Sequence, residues 1–262
     1  MTHVDLGAYA RRIEYGGAWT PTLETLQGLH FAHATHIPFE NLDVLLRRPI
    51  RLDLESLWAK LVTGGRGGYC FEQNALFAAV LEAAGFRLTR LAARVRAGSA
   101  ALRPRSHMLL AVDVDGQKWL ADVGFGAEVF LHPIPLTPGL VAPQFSWKYR
   151  VNTEGDVFVL QSLRPEGWLD LYAFTLEEQH PVDYEVSNYF TSTHPDSIFL
   201  KILIAQRPGP DKRWTLTNRR LIESSAEGNK ETTLPDDTAL LEVLKERFTL
   251  DFPPGTQFNF QE

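Results

Sequence analysis

Apolar residues recur at helical spacing through the first third of the chain. Leu23, Leu26 and Leu29 repeat at intervals of three, which places them on one face of a helix. The same periodicity, with capping residues at the ends, predicts helices over 22–35, 52–62 and 69–84. Pro38 and Gly85 follow the first and the third of these helices, as helix-ending residues do.

Beyond Gly85 the apolar residues alternate with polar ones or form short runs, which is typical of β-strands. Strands are predicted over 86–95, 107–114, 117–123, 145–151, 157–163 and 169–175. Asp115-Gly116 separates two of them and is a strong signal for a two-residue hairpin turn. The remaining chain predicts a helix over 196–205, strands around 214–222 and a closing helix near 237–248. Helices, then antiparallel strands, then a mixed tail indicate an α+β fold class.

Composition narrows the class of protein. The chain has 262 residues, of which 44% are hydrophobic and 22% charged, as in soluble globular proteins. A net charge of −6 argues against general nucleic-acid binding. The single cysteine excludes an internal disulfide and suits a reducing compartment. Because no secretory signal and no membrane-spanning apolar run is found in the sequence, we expect a cytoplasmic protein without a membrane partner.

The single cysteine, Cys70, follows the glycine-rich segment 64–68 at the start of the predicted helix 69–84. A thiol attacks as its thiolate, and the free N–H groups at a helix N-terminus stabilise a thiolate or an oxyanion. The glycines allow positive φ angles and the close approach of a substrate. A small buried cysteine after a flexible loop explains the same position equally well, so a nucleophilic thiol needs further support.

The predicted hairpin places a histidine and an aspartate on one face of the sheet. With a two-residue turn at 115–116, Asp122 lies opposite Leu109 and is a diagonal neighbour of His107. Their Cβ atoms are then roughly 7–8 Å apart, within reach of an imidazole–carboxylate hydrogen bond. Cys70, His107 and Asp122 therefore have the composition of a triad in which aspartate orients histidine and histidine accepts the thiol proton.

Four collinear stretches of the sequence resemble the arylamine N-acetyltransferases. They are LHFAHATHIPFENLD (29–43), RGGYCFEQN (66–74), SHMLLAVDVDGQKWLADVGFG (106–126) and SNYFTSTHPDSIF (187–199). Members of that family move an acetyl group from acetyl-coenzyme A to an aromatic amine, hydroxylamine or hydrazine. The combination of RGGYC with a downstream histidine and DVGFG is the most specific part of the resemblance, and the C-terminal third matches more loosely.

The resemblance implies an architecture and a chemistry. The implied parts are a helical bundle over 1–86, an antiparallel β-barrel over 87–195 and an α/β lid over 196–262, around a transglutaminase-like Cys-His-Asp core. The implied reaction is ping-pong acetyl transfer through a thioester on Cys70, with His107 and Asp122 completing the triad. Acetyl-coenzyme A is then the acyl donor, a small aromatic amine or hydrazine is the acceptor, and the expected role is xenobiotic metabolism.

Further residues are candidates for contacts with the two substrates. The resemblance places the coenzyme A groove near Ser106 and Gly126, and Arg103 lies in an arginine-rich loop that has the charge to attract phosphates. The candidates for an aromatic slot that holds the amine are Phe39, Tyr69 and Phe125. Core packing explains each of these aromatic residues at least as well, and arginines in a loop are commonly only solvated.

His30, His33 and His36 have a regular spacing that invites a metal site. On a helix, however, their side chains point in directions too divergent to meet at one metal ion. We therefore expect no metal, and we expect these histidines to be solvated or to cap the helix.

The triad alone does not distinguish transfer to an amine from transfer to water. A cysteine amidase or hydrolase therefore stays open, as does an acyltransferase that uses another acyl-coenzyme A on the same triad. A non-catalytic binding protein is disfavoured because Cys70, His107 and Asp122 are all present. Both a monomer and a dimer are compatible with the sequence.

Overall fold

The computed structural model of the protein describes residues 4–99 and 101–261. Its α-helices are α1 (Leu6–Ile13), α2 (Leu23–His36), α3 (Leu42–Leu45), α4 (Leu54–Leu57), α5 (Cys70–Ala83), α6 (Pro181–Thr193) and α7 (Asp237–Phe248). A π-helical segment, Trp58–Thr63, continues α4, and 3₁₀ turns lie at Gly126–Glu128 and Ile198–Leu200. The strands are β1 (Phe39–Glu40), β2 (Arg87–Val95), β3 (Arg105–Val114), β4 (Gln117–Ala121), β5 (Ile134–Pro135), β6 (Val141–Gln144), β7 (Trp147–Glu154), β8 (Val157–Arg164), β9 (Gly167–Phe174), β10 (Ile204–Arg207), β11 (Lys212–Thr217), β12 (Arg220–Ser225) and β13 (Gly228–Thr233).

The N-terminal helices share one apolar core with β3. Thr22 caps α2 by accepting a hydrogen bond from the backbone N–H of Thr25 at 3.3 Å, and Asp53 caps α4 by accepting from Ser56 N–H at 2.9 Å. Most of α5 is buried in the middle of this core, where it packs against β3. Its partners on the sheet include Met108, Leu110, Val112 and Ala121. The helix that begins at Cys70 is therefore held rigidly against the strand that carries His107.

Eight antiparallel strands form a nearly closed, barrel-like sheet. Their order is β5-β4-β3-β2-β9-β8-β7-β6, and β5 lies next to β7, which brings the two ends of the sheet together. The interior is filled by a second apolar cluster that includes Leu91, Leu109, Leu120, Tyr149 and Leu160. Since β3 contributes to both clusters, each of its faces is buried, and His107 lies between the helical core and the barrel.

A five-stranded antiparallel sheet with the order β1-β10-β11-β12-β13 forms the remaining layer. Leu240, Leu244 and Phe248 of α7 pack on this sheet in a third apolar cluster. Strand β1 carries Phe39, which pairs with Gln206 of β10. The segment that follows α2 is therefore bound into a sheet made otherwise from the C-terminal part of the chain.

The structure confirms the α+β class and the register of the hairpin. Val114 pairs with Gln117 across the turn, and both Asp115 and Gly116 have positive φ angles (50° and 78°), as a two-residue turn of this type requires. The predicted division of the chain at 86 and 195 stays a prediction. Strand β1 falls in the first predicted part but pairs with β10 of the third, and α6 is a helix within the predicted barrel region.

The segment 175–207 differs from the sequence-based expectation in two places. Helix α6 was not predicted, because the residues on its buried face, Tyr184, Asn188 and Thr191, are mostly polar and produce no apolar periodicity. The helix predicted over 196–205 is absent: a single 3₁₀ turn is followed by strand β10, since Ile204 pairs with β11 in a sheet. No helix within the described ranges has the length and apolar character needed to cross a membrane.

Candidate active site

Cys70 occupies the first position of α5, directly after the N-cap residue Tyr69. The Glu72 carboxylate accepts a hydrogen bond from the Tyr69 backbone N–H at 3.1 Å and so closes the first turn. The sulfur lies at a helix N-terminus whose leading N–H groups have no partner within the helix. Cys70 is only 6% exposed, and its Sγ lies 3.7 Å from the carbonyl oxygen of Ser106, the residue before His107.

A chain of buried ion pairs braces the segment before Cys70. Arg66 binds Glu40 at 2.6 Å and Asp43 at 3.2 Å. Lys60 in turn binds Asp43 at 3.0 Å and Glu72 at 2.7 Å. Burial favours the neutral lysine, but the surrounding carboxylates raise the pKa of Lys60 above its ordinary value. Removal of one partner would leave a buried charge uncompensated, at a cost of about 3–5 kcal/mol.

His107 and Asp122 form a buried hydrogen-bonded ion pair. The His107 Nε2 atom lies 2.7 Å from Asp122 Oδ2, and the two side chains are 3% and 0% exposed. Burial alone would lower the pKa of His107, but the charge and hydrogen bond of Asp122 raise it well above the usual value. Burial alone would raise the pKa of Asp122, but His107 and further hydrogen bonds hold it below the usual value. Both groups are therefore charged at neutral pH.

The geometry leaves the second imidazole nitrogen, Nδ1, for the thiol. Cys70 is a further cause of the raised pKa of His107, and the two residues line the same cavity. Phe125 and Tyr172 surround the imidazole, each with its ring centroid 4.9 Å from that of His107. The structure thus brings Cys70, His107 and Asp122 together in the order that nucleophilic catalysis requires.

Three further groups hold Asp122, and reasoning from the sequence predicted none of these contacts. Asn74 Nδ2 and the Gly124 backbone N–H each donate to Asp122 Oδ1 at 2.9 Å. The backbone N–H of Asp122 donates to His30 Nε2 at 3.1 Å. The only available signal for Asn74 was its position four residues after Cys70, on the same face of the helix. No local signal connects His30 with Asp122, since 92 residues separate them.

The glycines of the segment 124–126 are explained by close packing. A methyl group on Gly124 would lie 2.8 Å from Cα of Cys70, so only glycine lets α5 approach the end of the hairpin. Gly126 has a φ of +68°, and a methyl group there would lie 1.8 Å from the side-chain oxygen of Gln206. Gly126, a sequence candidate for coenzyme A contact, is buried against Gln206 and Phe39.

A cavity of about 590 Å³ opens directly onto Cys70 and His107. Of the sequence candidates, it is lined by Phe39, Arg103, Ser106 and Phe125. Tyr69 does not line it, because its ring is fully buried and its hydroxyl donates to Asn188 of α6. Much of the apolar wall comes from the segment 181–200, whose structure the sequence did not predict. Phe190 of α6 and Ile198 and Phe199 of the 3₁₀ turn line the cavity.

A second cavity, of about 720 Å³, adjoins the first and shares Val95 and Arg103 with it. Arg96 is bound to Glu154 and Asp170 there, and Arg105 is bound to Glu177. Arg103 has no carboxylate within 4.0 Å among the residues that the structure describes, and Arg94 donates to the Arg103 carbonyl at 2.6 Å. Two of the four loop arginines are therefore already neutralised within the chain.

The expectation that the histidines of α2 are solvated or cap the helix is wrong for His30 and His33. His36 is half-buried, and its Nδ1 lies 2.8 Å from the carbonyl oxygen of Ala32 near the end of the helix. His30 and His33 are completely buried, and each uses both ring nitrogens. His33 contacts the Tyr9 hydroxyl and the Gln73 side chain, and His30 contacts Leu131 O and Asp122 N. Within the described ranges no group of three His, Cys, Asp or Glu side chains is arranged to hold a metal ion.

Because these two histidines are buried, we expect the free energy of unfolding to fall in mild acid. Burial lowers the pKa of His30 to about 4 and that of His33 to about 3. The unfolded chain takes up these protons near pH 6.5, so stability is fully present above that pH and declines as the pH falls. Each histidine should contribute a slope of about 1.4 kcal/mol per pH unit below pH 6.

The measurement is the free energy of unfolding between pH 7.5 and 5, from urea titrations of the wild type and His33→Gln. In the variant, the slope of the unfolding free energy against pH should be smaller by the contribution of one proton, about 1.4 kcal/mol per pH unit. The matched control His194→Gln changes an exposed histidine and should keep the wild-type slope. An unchanged slope in His33→Gln would contradict the assignment of a neutral buried imidazole.

Comparison with known proteins shows which family this chain is similar to. A family model described as N-acetyltransferase matches residues 22–255 of the chain. The chain is 42% identical over 254 residues to the arylamine N-acetyltransferase of Mycobacterium tuberculosis, covering 95% of this chain and 90% of the relative. It is 42% identical over 248 residues to the arylamine N-acetyltransferase of Escherichia coli, covering 94% and 88%. The solved structure of Mycobacterium marinum arylamine N-acetyltransferase in complex with CoA is similar to it with a TM-score of 0.90 at 39% identity, covering 94% of this chain and 92% of that one.

Proposed function

This chain belongs to the arylamine N-acetyltransferase family, and we propose that it works by a ping-pong reaction through a thioester on Cys70. The acetyl group comes from acetyl-coenzyme A and goes to the nitrogen of an arylamine, arylhydroxylamine or hydrazine. The observation that carries the proposal is the cavity lined by Cys70 and His107, with Asp122 buried behind His107 and bound to it at 2.7 Å.

In the first step, His107 holds the thiol proton and Cys70 attacks as the thiolate. The sulfur forms a bond to the acetyl carbonyl carbon, and the carbonyl electrons move to an oxyanion. The leading N–H groups of α5, those of Cys70 and Phe71, have no partner within the helix and would stabilise the negative charge. The bond to the coenzyme A sulfur then breaks, and the leaving thiolate takes the proton from His107. Cys70 carries the acetyl group.

In the second step, the amine nitrogen attacks the thioester carbonyl and gives its proton to His107. The bond to the Cys70 sulfur breaks, the N-acetyl product leaves, and the thiolate–imidazolium pair is restored. Aromatic amines suit this step because they are neutral at pH 7 and can attack without prior deprotonation. Phe39 and Phe125, which line the cavity, supply an aromatic slot for their rings.

Apolar walls favour transfer to an amine over transfer to water. The wall of the cavity beside the triad includes the aromatic and aliphatic side chains Phe39, Phe125, Phe190, Ile198 and Phe199. Such a surface holds few ordered waters close to the thioester, whereas it binds an aryl ring by burial of apolar area. The acylated enzyme should therefore persist until an amine arrives.

The adjoining cavity has the size and charge for the nucleotide end of coenzyme A. Pantetheine would pass Ser106, which lines the inner cavity, and the phosphates would lie near Arg103 at the junction of the two cavities. Gly126 is buried, so its part would be to shape the wall beside Phe125 and Phe39, with no direct contact. Arg103 is the best phosphate partner of the four loop arginines because it lines both cavities and no described carboxylate already neutralises it.

The test is mass spectrometry of the intact protein after brief exposure to acetyl-coenzyme A without an amine. We expect one added acetyl group that is stable for minutes in buffer and that aniline or phenylhydrazine removes, with an equal amount of N-acetyl product. An adduct that water removes as fast as aniline does would identify a hydrolase. No adduct with acetyl-coenzyme A, but one with a longer acyl-coenzyme A, would identify another donor.

A further inference from the structure

Asn74 is a completely buried amide that uses both of its amide protons and its oxygen. Its Nδ2 donates to Asp122 Oδ1 at 2.9 Å and to the Met108 carbonyl at 2.7 Å. Its Oδ1 accepts from the backbone N–H of Val123 at 3.0 Å. All three bonds reach residues that are members of the triad or directly follow one.

The position of Asn74 connects the three elements that carry the triad. It lies four residues after Cys70, so both side chains project from one face of α5. Met108 directly follows His107 on β3, and Val123 directly follows Asp122 after β4. One side chain therefore sets the distance of α5 from both strands.

Asn74 also sets the rotation of the Asp122 carboxylate. The Asn74 amide and the Gly124 N–H both donate to Oδ1, which leaves Oδ2 facing His107 Nε2 at 2.7 Å. Without the side-chain donor, only the Gly124 N–H would oppose rotation of the carboxylate. A carboxylate that turns by even a modest angle no longer holds the imidazole with Nδ1 toward the thiol.

We propose that Asn74 is a positioning residue for acetyl transfer, which acts through Asp122 by fixing the orientation of its carboxylate. The proposal rests on the triad of the proposed function. Asparagine is required because it combines two donors and one acceptor within a length that fits between α5 and two strands. Leucine has a similar volume and no polar atom, and serine is too short to reach both strands.

The experiment measures the rate of Cys70 acetylation in Asn74→Leu, Asp122→Asn and the double variant, by quenched mixing and intact mass. Asn74→Leu should acylate about 100-fold more slowly, as a misplacement of about 1 Å commonly causes. The double variant should be no slower than Asp122→Asn alone, since a residue that acts through Asp122 has nothing left to position. Additive losses in the double variant would overturn the proposal.

A second readout separates positioning from loss of folding stability. The pH profile of Cys70 alkylation by iodoacetamide in Asn74→Leu should move toward the profile of Asp122→Asn. The matched control is Gln144→Ala, which removes a buried amide with three hydrogen bonds to the 131–132 loop. This control should lower Tm to a similar extent and keep the wild-type acylation rate and profile.

The outcomes distinguish the inference from the proposed function. If Asn74→Leu lowers Tm but keeps the wild-type acylation rate and pH profile, its role is structural and the positioning proposal fails while the triad stands. If Asp122→Asn acylates at the wild-type rate, the triad itself fails, and the positioning role fails with it. If Asn74→Leu does not fold, Asn74→Ser, which leaves a smaller polar side chain, is measured in the same way and decides between these outcomes.

Discussion

Cys70→Ala is expected to abolish acetylation of the protein by acetyl-coenzyme A and to reduce acetyl transfer to aniline by about 10⁴-fold or more. The physical reason is that no other group at the cavity can form the covalent intermediate. Cys70 is the only thiol in the chain, and the described lining of the cavity offers hydroxyl groups only at Ser106, Thr191 and Ser197. A hydroxyl is a far weaker nucleophile than a thiolate at neutral pH.

Two controls accompany the Cys70 variant. Cys70→Ser keeps the size and polarity of the side chain and should be nearly as inactive, because His107 cannot generate an alkoxide as readily as a thiolate. Both variants should keep a Tm close to that of the wild type, since the sulfur makes only a weak contact with the Ser106 carbonyl. Acetylation of Cys70→Ala at the same stoichiometry as wild type, located by peptide mass spectrometry, would place the nucleophile elsewhere.

Asp122→Asn is expected to slow acylation of Cys70 by about 10⁴-fold while leaving the fold intact. Asn74 and Gly124 both donate to the Oδ1 position, so the oxygen of the new amide should occupy that position and its NH₂ group should face His107. The imidazole must then accept at Nε2 and carry its proton on Nδ1, toward the thiol. In that tautomer it has no lone pair with which to receive the thiol proton.

The pre-steady-state burst of Cys70 acetylation measures this effect, with kcat/KM for the complete reaction as a second value. Binding of acetyl-coenzyme A should change little, because Asp122 is completely buried behind His107 and does not line the cavity. A loss of less than about tenfold would argue that His107 finds its orientation from Phe125 and Tyr172 alone. Asp113→Asn, an exposed aspartate on the same strand pair, is the matched control and should behave as wild type.

The hairpin was predictable because its determinants are local. Asp115-Gly116 sets the turn, the turn sets the register, and the register places His107 and Asp122 on one face. The predicted diagonal relation is consistent with the observed hydrogen bond of 2.7 Å. The capping of α4 by Asp53 and the start of α5 after Tyr69 were likewise readable from adjacent residues.

The walls of the cavity were much less predictable. Helix α6 buries a mostly polar face whose bonds go to distant residues: Asn188 donates to Ile50 O and accepts from Tyr69. A pattern search cannot recognise a buried face that is stabilised by hydrogen bonds instead of apolar contacts. Phe190 and Phe199 were therefore not predicted to line the substrate site. Tyr69, which was a candidate for the aromatic slot, is buried and does not line the cavity.

By itself the sequence indicated the fold class through its periodicity and the family through its resemblance. It also predicted Cys70, His107 and Asp122 as candidate site residues, because their positions depend on one helix start and one hairpin. Only the tertiary structure decided what surrounds them: the buried neutral histidines of α2, the contact of Gly124 with the backbone of Cys70, and the bonds of Asn74 to two strands. The physical reason is that burial and hydrogen-bond partners are properties of pairs of segments far apart in the chain. No periodicity within one segment records which distant donor or carbonyl will face it after folding.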